Sequence, residues 1–184
     1  MKTSLLKWKP DLDGAIEYYT KAALIYRNAK KLHEGAELYK KIAHLNLQRG
    51  SAFHAAKAFE IASLMHRDAK EFHKMADLVY EAGKLLRESG SPDSATLVYE
   101  KASKSLEDYL PERAAEFYES SSEACEAEDK HLQAAEQAGQ AARMWTRMRR
   151  YNEAERLLRK QISFVLDSST SQQNMNSITS TAQL

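Results

Sequence analysis

Small and large apolar positions recur along this chain with a helical period. A small residue is followed four positions later by an aromatic or large one, and three positions after that by another small one. Ala15, Tyr19 and Ala22 open the series, then Gly35, Tyr39 and Ile42, then Ala55, Phe59 and Ala62. Ala76, Tyr80 and Gly83 follow, then Ala95, Tyr99 and Ala102, then Ala114, Tyr118 and Ser121. Ala134, Ala138 and Ala141 come next, and Ala154, Leu158 and Gln161 close it. The first members advance by 20, 20, 21, 19, 19, 20 and 20 residues. Positions i, i+4 and i+7 share one face of an α-helix, so each unit reads as one amphipathic helix of roughly 16–18 residues. A ring between two small residues fills the gap where a neighbouring helix comes close. The six rings Tyr19, Tyr39, Phe59, Tyr80, Tyr99 and Tyr118 are therefore expected in the core. Tyr18 and Tyr26 fall off this frame and read either as surface contacts or as packing for a neighbour.

The joints agree with the period. Gly50-Ser51 reads as a C-terminal glycine followed by a new N-cap, and Gly90-Ser91-Pro92-Asp93 repeats the device with proline at the first helical position. Leu110-Pro111-Glu112 and Pro10-Asp11 supply two more proline-led starts. The joints at Ala29-Lys30, Ala69-Lys70, Asp129-Lys130 and Arg149-Arg150 are short and polar, which makes consecutive helices antiparallel. The prediction is an all-α fold: a right-handed α-solenoid of about eight helices in antiparallel pairs, each pair burying its face against its neighbours. The array is expected over 11–167, after an apolar and basic segment at 1–10. In 168–184, thirteen of seventeen residues are Ser, Thr, Gln or Asn, and this tail is expected to be disordered.

Composition narrows the class. There are 27 alanines against three valines and six isoleucines in 184 residues, which disfavours a sheet protein. Lys plus Arg (27) nearly balances Asp plus Glu (26), so nucleic acid is not an expected partner. The single cysteine, Cys125, and the absence of a secretory pattern in 1–10 point to an intracellular, cytoplasmic protein.

The sequence carries no catalytic or ligand motif. The six histidines (His33, His44, His54, His66, His73, His131) form no HExxH and no i, i+4 pair. His66 and His73 are divided by the joint at Ala69-Lys70, and Cys125 reads as a packing residue. The six glycines are isolated, so no phosphate loop is present. The expectation is no enzyme, no cofactor and no metal. A peptide-clamping repeat scaffold would need asparagines and basic residues in one groove, whereas Asn28, Asn46 and Asn152 are scattered.

The run LLKWKPDLDGAIEYYTKAALIYRNAKKL, the segment FHAAKAFEIA and the joint ESGSPDSATLVYEKA resemble soluble NSF attachment proteins, and within them the gamma type. The resemblance covers about residues 3 to 165. The near-forty-residue pair also fits that family better than a tetratricopeptide repeat of about 34 residues, although the fold is TPR-like. The resemblance implies a non-catalytic adaptor in vesicle traffic. Such an adaptor binds SNARE complexes with their syntaxin-type helices, recruits the NSF-type ATPase that dismantles them after fusion, and touches the membrane peripherally. It places a membrane-contact loop at Leu5, Leu6 and Trp8, among Lys2, Lys7 and Lys9. The alternative is that Leu6 and Trp8 staple the first helix to the array. It places SNARE-facing basic residues two, six and nine positions after the first small residue of alternate helices. Lys57, Lys101, Lys104 and Arg143 match in charge, while Ile61, Leu64, Leu97, Glu136 and Gln140 depart. Against the family pattern the chain reads as truncated at both ends, with the ATPase-stimulating region missing. Weak SNARE binding without NSF stimulation is the expectation. The alternative is a generic repeat scaffold for some other helix or peptide.

Overall fold

The structure is a computed structural model that describes the backbone of residues 11–181 and the side chains of residues 11–169. Eight helices follow one another among the described residues: α1 (Leu12–Asn28), α2 (Leu32–Gln48), α3 (Ala52–Asp68), α4 (Phe72–Glu88), α5 (Pro92–Leu106), α6 (Pro111–Glu126), α7 (His131–Arg147) and α8 (Tyr151–Thr181). Each packs chiefly against the helix before it and the helix after it. The result is a solenoid of antiparallel helix pairs, as read from the sequence.

Six of the seven joints are Schellman turns; the exception joins α5 to α6, where the Leu110 N–H donates to the Leu106 carbonyl at 2.8 Å. At the first, the Lys31 N–H donates to the Tyr26 carbonyl at 2.9 Å and the Lys30 N–H to that of Arg27 at 3.0 Å. The left-handed residue recurs at Lys30, Gly50, Lys70, Gly90, Asp129 and Arg149, with φ between 55° and 77°. Only two of these six are glycine, so four joints hold an L-residue where it is strained. Ser51 and Ser91 stand at the N-cap positions but do not cap with their side chains. The Ser51 hydroxyl pairs with His54 Nδ1 at 2.7 Å instead. Asp11 does cap: its Oδ1 accepts from the Gly14 N–H at 2.9 Å.

Alanine sets the helix spacing. Ala23, Ala36, Ala43, Ala55, Ala62, Ala82, Ala95 and Ala114 are buried, and Tyr39, Phe59, Tyr99 and Tyr118 fill the gaps between them. Tyr19 is only half-buried, because α1 has no helix before it among the described residues. Tyr80 corrects the reading more sharply, being 50% exposed. The α4–α5 gap is filled from the other side, where the Tyr99 ring lies over Gly83 so closely that a Cβ there would stand 2.1 Å from Tyr99 Cζ. With that space taken, Tyr80 stays at the surface. A second correction lies in α8: Leu158 is exposed and its neighbour Leu157 is buried instead. Leu157 joins the core cluster that holds Met144 and Trp145 of α7, and the Gln161 amide closes over Gly139 of the same helix.

Charged side chains link the even helices across successive pairs. Arg113 on α6 meets Asp77 on α4 at 3.7 Å, and Arg87 on α4 meets Glu123 on α6 at 3.5 Å. Lys160 on α8 meets Glu126 on α6 at 2.8 Å, and Arg156 pairs with Glu119. Cys125 is buried, as a packing residue should be. No helix among the described residues is long and apolar enough to cross a membrane. From Ser168 on, where disorder was expected, the backbone of α8 continues as helix to Thr181. Extending a nucleated helix adds one hydrogen bond per residue fixed, so continuation needs no new nucleus.

Candidate functional site

The four candidate basic residues all fall on odd-numbered helices: Lys57 on α3, Lys101 and Lys104 on α5, and Arg143 on α7. At about 100° per residue, positions two, six and nine of the frame lie within about 60° of one another, opposite the small–ring–small stripe. A helix that buries the stripe must therefore show these positions to solvent. Lys101, Lys104 and Arg143 are exposed and Lys57 is half-exposed.

The structure brings two of the four together. Lys101 and Lys104 line a groove of about 230 Å³ between α3 and α5. Glu60, Leu64 and Arg67 form its α3 wall, and Met75 and Val79 of α4 lie at its floor. Leu64, a departure from the expected charge, supplies an apolar wall here and is 37% exposed. Leu97, on the same face of α5, is 54% exposed. Arg67 was missed by the sequence reading, because it stands one turn beyond the nine-position frame. Both its Nε and its Nη2 donate to Asp68 Oδ1, at 3.0 and 2.8 Å.

The charges differ in how free they are. Glu100 accepts from Lys104 at 2.6 Å, which pushes the ammonium pKa up; Glu136 across on α7 adds to the effect. Lys104 therefore stays charged at any physiological pH. Lys57 donates to Glu60 at 2.9 Å, sits 5.7 Å from the centre of the Phe53 ring, and does not line the groove. Lys101 and Arg143 make no ion pair among the described residues. Arg143 lies near the buried Tyr118, whose hydroxyl donates to Glu107 at 2.6 Å. Burial and that carboxylate push the Tyr118 pKa up, and the Arg143 charge pulls against them. What results is a partly basic, partly apolar groove flanked by two further cations. It can hold an acidic surface with apolar relief; it contains no nucleophile paired with a base.

Leu5, Leu6 and Trp8 lie outside the described residues. The histidines are distributed as the joints dictate. His66 is buried at the end of α3 and His73 is exposed on α4, and the two do not meet. His66 meets two residues that sequence spacing did not connect, His33 at the start of α2 and Glu71 just ahead of α4.

The family model described as soluble NSF attachment protein, SNAP, matches residues 9–184. The match runs past residue 165, the end of the resemblance read from the sequence. Among solved structures, the fold is similar to BtubC (BKLC) from P. vanneervenii at a TM-score of 0.52 and 13% identity, over 90% of this chain and 68% of that one. MamA is more distant, with a TM-score of 0.40 and 16% identity over 87% of this chain and 92% of its own. At such identity the first likeness speaks for the helical-repeat fold alone.

Proposed function

This chain belongs to the soluble NSF attachment protein family, and from that premise we propose that it lies along assembled SNARE helical bundles and links them to an NSF-type ATPase. It is a SNAP-like adaptor; the choice of SNARE bundle and ATPase as partners, and the gamma type, belong to the proposal. The observation that carries the reading is the convergence of Lys101 and Lys104 on one groove with Leu64 and Arg67. SNARE bundles have acidic outer surfaces, so exposed lysines on alternate helices supply orientation and association rate more than raw affinity. Leu64 and Leu97 add apolar contact where a uniformly basic stripe would have none. Contact with the membrane surface through Leu5, Leu6 and Trp8 is part of the same proposal. One shallow apolar segment among lysines binds anionic lipid weakly, and helps only a complex already held there.

Capture of assembled against unassembled SNAREs tests the reading. The bundle is expected to be preferred, and K101E/K104E is expected to weaken capture on the order of tenfold at low salt, with the difference shrinking as salt rises. Equal capture of single SNAREs and bundle, or no response to the double reversal, leaves the generic repeat scaffold as the better description. NSF turnover with and without the chain then measures the ATPase half of the proposal.

A further inference from the structure

A solenoid with short joints places the start of one helix beside the end of the next, and here that geometry gathers three ligand-type side chains. His33 lies in the first turn of α2, His66 in the last turn of α3, and Glu71 immediately before α4. Their nitrogen and oxygen donors all lie within 4.8 Å of one another. Glu71 Oε2 is the shared point, 2.5 Å from His66 Nδ1 and 3.6 Å from His33 Nδ1. The two imidazoles meet edge to face with ring centres 6.0 Å apart. The His66 side chain is 1% exposed, Glu71 31% and His33 55%, so the cluster has a fixed inner ligand and two outer ones open to solvent.

From this convergence we propose that His33, His66 and Glu71 bind a divalent cation of the zinc class, clamping α2, α3 and the start of α4 together. Two neutral imidazoles and one carboxylate, with a fourth position left over, form a donor set that zinc accepts. Bonds of about 2.0–2.1 Å put tetrahedral ligand atoms about 3.3 Å apart. The donors stand at most 4.8 Å apart, so the set closes by small rotations of the two outer side chains. Neighbours prepare it. Lys74 donates to Glu71 Oε1 at 2.7 Å, which orients the carboxylate and leaves Oε2 turned to the imidazoles. Glu37 stands one turn on from His33 on the same face of α2. Its carboxylate is engaged by Lys40 at 2.8 Å, and the fourth position falls to solvent. Binding uses the Nδ1 lone pairs, so any proton they carry goes to solvent, and affinity falls as the pH drops. The site lies at a joint, away from Lys101 and Lys104, and stands whether or not the SNARE reading holds.

The test uses the full chain, stripped with a chelator and exchanged into a non-coordinating buffer near neutral pH. Zinc is titrated by calorimetry, cobalt(II) by visible absorption, and thermal unfolding is followed at each zinc concentration. One zinc per chain, four-coordinate cobalt bands and a Tm that climbs with zinc are expected. His33→Ala alters a side chain that is 55% exposed and should weaken zinc binding at least tenfold. Glu71→Gln should weaken it similarly, and His54→Ala should not. No binding at one per chain, or binding undiminished in His33→Ala and Glu71→Gln, overturns the proposal and reduces the cluster to an ion-pair network.

Discussion

Gly83→Ala is the sharpest probe of how this solenoid closes. In an ordinary helix interior the change stabilises by roughly 1 kcal/mol, because alanine gives up less conformational entropy. On α4 the added Cβ would stand 2.1 Å from Tyr99 Cζ and 2.4 Å from both Tyr99 Cε1 and the hydroxyl oxygen. The ring must retreat by more than about 1 Å to reach ordinary van der Waals contact. It has little room, being 2% exposed and stacked on Phe117 with centroids 5.7 Å apart. Overpacking of this kind costs about 1–3 kcal/mol, and disturbing an aromatic pair costs up to about 1.5 more. After the helix-propensity gain, a net loss of about 2 kcal/mol, within a span of about 0–3.5, is expected. At roughly 2–4 °C per kcal/mol for a chain of this size, Tm should fall by several degrees. Far-UV circular dichroism under urea and heat measures it, within a cycle that includes Tyr99→Leu. In the Tyr99→Leu background the ring is gone, so Gly83→Ala should become neutral or stabilising. A gain in stability from Gly83→Ala alone, or an equal loss in both backgrounds, would refute the reasoning.

Three further outcomes follow from the same packing. Lys70 holds φ at 60° at its joint; left-handed strain of about 1–2 kcal/mol, offset by the backbone entropy of glycine, makes Lys70→Gly a gain of roughly 0.5–1 kcal/mol in urea melts. Burial pushes the Tyr99 hydroxyl up to about 12 from an ordinary 10.0. Because the folded pKa is raised, its contribution is intact below pH 10 and fades as the pH climbs to 12. It is worth on the order of 3 kcal/mol at most, so Tyr99→Phe should lose less stability over that window than the wild type. Cys125 is 1% exposed, and burial pushes its thiol pKa up. A thiol reagent should therefore modify it at the rate of unfolding, and fast labelling of the native chain would contradict the packing.

Much of the architecture was legible in the chain. The twenty-residue advance of a small–ring–small triplet specifies helix, face and neighbour together, since i, i+4 and i+7 share a face only in an α-helix. Gly50, Gly90, Pro92 and Pro111 mark joints for the same local reason. What failed to read was set by what lies opposite. Tyr80 and Tyr99 hold equivalent positions, yet one is exposed and the other buried, because Gly83 admits the Tyr99 ring from the facing helix. Leu157 rather than Leu158 is buried, in the cluster that also holds Met144 and Trp145 of the facing helix.

The candidate sites divide in the same way. That Lys101 and Lys104 face solvent on α5 follows from angles around one helix, which the chain's own spacing determines. That they share a groove with Leu64 and Arg67 depends on how far α3 and α5 stand apart, and only the packed array decides it. His33, His66 and Glu71 are the extreme case, since no local period connects the three. Their donors meet because short joints return the end of α3 to the beginning of α2, and Glu71 begins the next helix there. Periodicity is a property of one helix and survives in the sequence; convergence belongs to several helices and exists only once they have packed.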